Sequence, residues 1–187
     1  RVPAGTEGCS VAKKLDKHGW RCSDTAELVL NDVWVPDSQV LGTVHGFYET
    51  MKNFQNERMV LIGMCVGAAQ AAIDQTLAYV QHRPAFGGHL YDLGAIRQRM
   101  AMNQARLDAV PAAMYPPPLL GDEVADNVKD TSGVKAFCAE TVLQILHDFV
   151  QFHGRMCYIT ETPVSRMSPP PPLLPLRLCA PHLPPAP

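Results

Sequence analysis

From Phe47 to His82 the chain runs without a single proline, and only Gly63 and Gly67 interrupt it. Leu61, Met64, Cys65, Ala68, Ala72, Leu77 and Val80 recur there at helical spacings, so the segment reads as one long helix buried on one face. The small residues Gly67, Ala68, Ala69, Ala71 and Ala72 leave room for another helix to approach closely. Arg83-Pro84-Ala85-Phe86-Gly87-Gly88 then stops it: a cation suits a helix C-terminus, proline cannot continue the ladder, and the glycines turn the chain. Two further helices are expected, Leu90–Tyr115 and about Ser132–His153, with Ser132 as N-cap and Gly154 as stop. Long helices joined by short loops predict a mainly α chain, an antiparallel helical bundle packed side by side.

The flanks differ. Ser10–Leu15 and Ala26–Val35 read as strands, the second rich in β-branched and aromatic residues and closed by Pro36, with a turn signal at Asp16-Lys17-His18-Gly19. A few strands cannot bury a core by themselves, so residues 1–40 read as the end of an incomplete β-domain. Residues 41–167 carry the bundle. Residues 168–187 are dominated by proline, which excludes a helix or a central strand and favours disorder or polyproline II.

Several classes are excluded by what is missing. Net charge is −2, so no basic field exists for nucleic acid. No stretch reaches the roughly 18 to 20 apolar residues that span a bilayer, and no membrane span is expected. The six cysteines form no CxxC pair; Cys65 and Cys138 sit in apolar helical patterns and act as small hydrophobes in a reduced chain. His82 with His89 and His147 with His153 lack i,i+4 spacing, and no HExxH occurs, so no metal site is expected. There is no phosphate-binding GxxxxGK[ST] and no GxGxxG after a strand. By pattern alone Glu57 is a helix carboxylate of the kind usually solvated or paired, and Arg83 complements a helix dipole.

Five segments in order change that reading. They are Lys17-His18-Gly19-Trp20-Arg21-Cys22-Ser23-Asp24-Thr25-Ala26-Glu27-Leu28 with Asp32-Val33-Trp34-Val35-Pro36; Phe54-Gln55-Asn56-Glu57-Arg58; Gly67-Ala68-Ala69-Gln70-Ala71-Ala72; Arg83-Pro84-Ala85-Phe86-Gly87; and Gln151-Phe152-His153-Gly154 with Tyr158. From about residue 8 to Met167 the chain resembles the acyl-CoA dehydrogenase family. The resemblance implies an N-terminal helical domain, a middle β-domain and a C-terminal four-helix bundle, of which this chain covers the end of the second and most of the third. It implies FAD, an acyl-CoA substrate, a homo-oligomer that is usually a tetramer, electron-transferring flavoprotein as electron acceptor, and an intracellular site in cytoplasm or mitochondrial matrix. The implied reaction is α,β-dehydrogenation, in which a carboxylate removes the α-proton and the β-hydride goes to the flavin.

Most family members place that base late in the chain, beside a Tyr-Glu-Gly-Thr-type segment that does not occur here. Isovaleryl and long-chain members place it on the first bundle helix, at the position matching Glu57. By the same resemblance Arg83 reaches the FAD pyrophosphate of a neighbouring subunit. Phe86 lies in that flavin-facing segment, and Gln151 and Gly154 match the later segment contacting the same FAD. Phe54 and Arg58 flank the acyl-CoA side. Some positions depart from the pattern. Gly94 stands for a flavin-contacting Gln, at about 1 kcal/mol in a helix interior. Pro111 stands for an Arg, at about 3 kcal/mol or a kink. Cys157 stands for a Gly and would be strained in a left-handed conformation. Pro116-Pro117-Pro118 and the end after Met167 are the abrupt changes a frameshift produces. The competing reading is a non-catalytic bundle acting as an assembly or interaction module.

Overall fold

The computed structural model describes residues 2–17, 22–40, 42, 46–114, 128–159 and 161–162. The proline-rich end, Pro116-Pro117-Pro118 and the His18–Gly19 half of the expected turn lie outside them. The chain divides into two compact units, Arg1–Asn53 and Phe54–Pro187.

In the first unit β1 (Cys9–Lys14) pairs antiparallel with β2 (Ala26–Leu30), with a register shift between Val11 and Lys13. The second strand ends earlier than its β-rich sequence predicts. Asp32 adopts φ 48, a left-handed turn residue that breaks the ladder before Trp34 and Val35. Gly8, at φ 81, has no side chain where one would run into the Asn31 carbonyl, and its own carbonyl accepts the Asn31 N–H at 2.9 Å. Val11, Leu28, Val29 and Leu30 are all exposed. Successive strand residues face opposite sides, so both faces of this two-stranded sheet are open within its unit.

The second unit holds the bundle. Helix α1 (Gly46–His82) begins in the first unit and runs unbroken to the predicted stop. Its buried residues are Arg58, Ile62, Ala69, Ala72, Ile73, Thr76 and Val80, with Cys65 and Leu77 packed against the core; of the predicted stripe Met64 and Ala68 are exposed and Leu61 is half-buried. The inward stripe thus keeps Cys65, Ala72, Leu77 and Val80 of the predicted set, and Ile62, Ala69 and Ile73 take the place of Met64 and Ala68. The expectation of no span-like stretch is also corrected: Asn56–His82 is long and apolar enough by length and composition to cross a membrane. Part of that apolar surface is taken up by the bundle core, where the buried residues of α1 meet those of the next two helices.

Helix α2 (Gly94–Met114) starts later than Leu90, because a 3-10 turn at Leu90–Asp92 precedes it and Leu93 is extended. Gly94 is thus the first helical residue, where the interior glycine cost does not apply. Pro111 lies in the last turn of α2, and the helix continues through it to Met114. Met100, Asn103, Leu107 and Val110 form its buried stripe. Helix α3 (Val128–His153) starts before Ser132. Ser132 is therefore no cap; it lies inside the helix with a buried hydroxyl that has no hydrogen-bond partner. Gly154, at φ 54, ends α3 as predicted and opens a 3-10 turn through Tyr158. Cys157 sits in that turn without positive φ and packs on the core, so the expected strain does not arise. The five described cysteines are free, and burial pushes the Cys138 thiol up to about 12.

A polar knot locks α2 to α3. The Asp148 carboxylate, 3% exposed, accepts hydrogen bonds from Arg99 Nε at 3.1 Å, Asn103 Nδ2 at 3.0 Å and Gln144 Nε2 at 3.1 Å. A buried carboxylate is tolerated only with such partners. On the other side, the Gln70 and Gln104 amides donate to each other's carbonyl oxygens at 3.3 and 3.0 Å and tie α1 to α2.

Candidate functional site

The predicted residues fall into two groups on α1. Phe54, Glu57 and Arg58 form the first, with Phe54 one turn before the other two. Within it Phe54 and Glu57 are exposed, and Arg58 is turned inward at 8% exposure. Arg83 comes after the other end of the same helix, 26 residues beyond Glu57. At about 1.5 Å per residue that is a separation of about 39 Å. The two groups therefore cannot meet in one pocket of one chain.

Helix α1 gives way to a tight hairpin. Strands β3 (Pro84–Ala85) and β4 (Gly88–His89) pair antiparallel, with Phe86 and Gly87 as the two-residue turn. Both turn residues have positive φ, 53 and 82, the pattern of a type I′ hairpin. Glycine adopts that conformation freely, but for phenylalanine it costs about 1–3 kcal/mol. Phe86 is nonetheless 87% exposed, so no core contact within the described residues explains the strain. Arg83 is held at the base: its N–H donates to the Tyr79 carbonyl at 2.9 Å, and its carbonyl accepts the Leu90 N–H at 3.0 Å. Its side chain is left at the surface.

Gln151 and Gly154 come to the same end of the bundle. The link is a contact the sequence reading missed: the Tyr79 and His153 rings stack with centroids 4.2 Å apart and planes at 17°. Its only sequence signal was position, Tyr79 one turn before Arg83 and His153 directly before Gly154. So Arg83 and Phe86 from α1 and its hairpin, and Gln151 and Gly154 from α3, share one end. A diphosphate-bearing cofactor fits these residues. Arg83 offers paired cationic donors, Gln151 an exposed amide, and Gly154 a backbone without a side chain, where a Cβ would meet nothing within 4 Å. The described residues also form an open cleft of about 450 Å³ between α2 and α3, lined by Ala95, Gln98, Arg99, Met102, Arg106 and Gln144; it contains none of the predicted site residues.

His153 is 6% exposed, and its Nδ1–H donates to the Phe149 carbonyl at 2.9 Å. Burial holds its pKa below the ordinary 6.5, partly offset by that hydrogen bond, which favours the cation. The unfolded chain therefore binds the proton more readily than the folded one. Stability is full above about pH 6.5 and falls as pH drops through that value toward the lowered folded pKa, below which the loss is complete. Thermal melts of the chain are expected to show a lower Tm at pH 5.5 than at pH 7.5. The difference should shrink in His153→Phe, which stacks without titrating; an equal drop in both proteins would show that another group governs the change.

The model of the acyl-CoA dehydrogenase C-terminal domain family matches residues 44–168. The mitochondrial isovaleryl-CoA dehydrogenase of Pongo abelii is 36% identical over 166 residues, which are 88% of this chain and 39% of the relative. The mitochondrial short-chain specific acyl-CoA dehydrogenase of Bos taurus is 32% identical over 166 residues, 88% of this chain and 40% of the relative. Among solved structures, an acyl-CoA dehydrogenase from Geobacillus kaustophilus superimposes with a TM-score of 0.83 at 26% identity, covering 95% of this chain and 47% of that one. The chain thus spans less than half the length of the relatives it matches.

Proposed function

Since the chain belongs to the acyl-CoA dehydrogenase family, we propose that it works as the C-terminal part of an FAD-dependent enzyme that desaturates an acyl-CoA thioester between its α and β carbons. In this reading residues 1–40 complete a middle β-domain and residues 41–167 form the bundle. The assembly is an oligomer, usually a tetramer in this family, whose electrons pass to electron-transferring flavoprotein in the cytoplasm or mitochondrial matrix. FAD, when bound, supplies the acceptor for the β-hydride.

This chain's residues do the rest. Glu57 takes the α-proton. A thioester α-proton is only weakly acidic, so the base works where substrate and protein exclude water and raise its basicity. Phe54, one turn away, supplies an apolar wall for the acyl group, and the inward Arg58 fixes a positive charge beside the base. Arg83 and Gln151 hold the cofactor diphosphate, Gly154 lets the backbone approach it, and Phe86 faces the flavin.

The observation that carries the reading is the distance along α1. A base at Glu57 and a diphosphate clamp at Arg83, about 39 Å apart on one rigid helix, must serve two different active sites. An oligomer meets that requirement, because Arg83 of one subunit then completes the cofactor site of its neighbour. The incompletely buried apolar window of α1, 28% buried, leaves surface for such a neighbour.

The test joins residues 8–167 of this chain to the remaining segments of an isovaleryl-CoA dehydrogenase. The purified full-length oligomer is expected to carry stoichiometric FAD. Under anaerobic conditions a saturated acyl-CoA should bleach it, and the matching enoyl-CoA should not. A folded oligomer that carries no flavin, or carries it without bleaching by any acyl-CoA from short to branched to long, overturns the reading.

A further inference from the structure

The two segments assigned to the cofactor are separate pieces of chain, and each is poorly anchored alone. The hairpin after α1 has two-residue strands and exposes Arg83, Pro84 and Phe86, so it brings no core of its own. Its position depends on the last turn of α1, through the Arg83 N–H bond to the Tyr79 carbonyl. The Gln151–Gly154 segment depends likewise on the last turn of α3, where Gln151 and Gly154 are exposed and His153 alone points inward beside the half-buried Phe152.

The Tyr79–His153 stack joins those two turns. Face-to-face rings 4.2 Å apart and only 17° from parallel fix both a distance and an angle, which rounded aliphatic contacts do not. The His153 Nδ1–H bond to the Phe149 carbonyl stops its ring from rotating out of the stack. Tyr79 lies one helical turn before Arg83, and His153 is the residue before Gly154. We propose that Tyr79 and His153 are a positioning pair for the cofactor: their stack sets the spacing of the Arg83–Phe86 segment against the Gln151–Gly154 segment, so that one diphosphate meets both. Neither ring touches the cofactor. The proposal rests on the reading of those segments as an FAD clamp.

The test is a double-mutant cycle read by FAD affinity in the apo-form of the joined full-length oligomer, titrated with FAD and followed by flavin fluorescence. His153→Ala is expected to weaken FAD binding about tenfold, the scale of one lost ring pair. His153→Phe keeps the stack but loses the Phe149 bond, and should recover most of the affinity that His153→Ala loses. In an Arg83→Ala background, His153→Ala should cost little more, because the residue it positions is already gone. Losses that simply add, or an unchanged Kd in His153→Ala, overturn the proposal and leave His153 a core residue. The single Arg83→Ala variant separates the two possible failures. If it binds FAD normally, the clamp reading falls. If it binds weakly while His153→Ala binds normally, only the positioning role falls. Should His153→Ala not fold, Tyr79→Leu removes the same stack while keeping apolar bulk and carries the same cycle.

Discussion

Glu57→Gln, placed in the full-length oligomer, is expected to keep its flavin and its affinity for acyl-CoA and yet to stay yellow when mixed anaerobically with a saturated acyl-CoA. The amide has nearly the shape of the carboxylate but cannot take a proton. Removing a general base typically costs about 10²–10⁴ in rate, and a base at the centre of the only proton transfer falls at the upper end or beyond. The family resemblance puts the proposed first-helix base at Glu57, which lies on the exposed side of α1 with Phe54 one turn before it. Rapid bleaching of the Gln variant would sink the assignment. The base would then lie in a part of the protein outside these residues, and Glu57 would be an ordinary surface carboxylate. A variant that loses acyl-CoA binding along with bleaching would point instead to a substrate-positioning role.

Arg83→Ala should weaken FAD retention far more than it weakens the fold. Charge-assisted hydrogen bonds of the guanidinium to a diphosphate contribute roughly 1.5–3 kcal/mol, so a loss of about 10- to 100-fold in FAD affinity is expected. The fold should hardly change. The Arg83 side chain is exposed, and its two described backbone bonds, to Tyr79 and Leu90, survive in alanine. Exposed substitutions of that kind usually stay within about 0.5 kcal/mol. Gel filtration after dilution reads the result: the variant should elute as an intact oligomer largely stripped of flavin, while Arg83→Lys, charged but without a planar fork, should lie between. Stoichiometric flavin in the alanine variant after that treatment would remove Arg83 from the clamp. If Arg83 indeed acts on a neighbouring subunit, mixing Glu57→Gln and Arg83→Ala oligomers under exchange conditions should restore some bleaching. In a mixed pair one site then draws its intact base from the Arg83→Ala chain and its intact clamp from the Glu57→Gln chain, while the other site has neither.

Where local chemistry was strong, the sequence alone was sufficient. The absence of proline from Phe47 to His82 and the Arg83-Pro84 stop set the end of α1, because backbone sterics act over a few residues and need no partner. Gly154 ended α3 for the same reason: its positive φ is a local property that glycine meets freely. The ordered segments from Lys17 to Tyr158 were enough to place the chain in its family. Tertiary structure decided what depends on partners. The phase of α1 is one such feature. Between Met59 and Ile73 the helix is apolar but for Gln70, so periodicity could not choose between Met64 with Ala68 and Ile62 with Ala69 and Ile73, and the facing residues of α2 and α3 chose the second set. The start of α3 is another: the helix already runs from Val128, so the Ser132 hydroxyl is buried inside it instead of capping. Asp148 gave no sign in the sequence of being buried, because Arg99 and Asn103, which make its burial tolerable, arrive from a different helix. The stack of Tyr79 on His153 is of the same kind: two rings far apart in the chain, each ordinary alone, become a link only when α1 and α3 bring their last turns together.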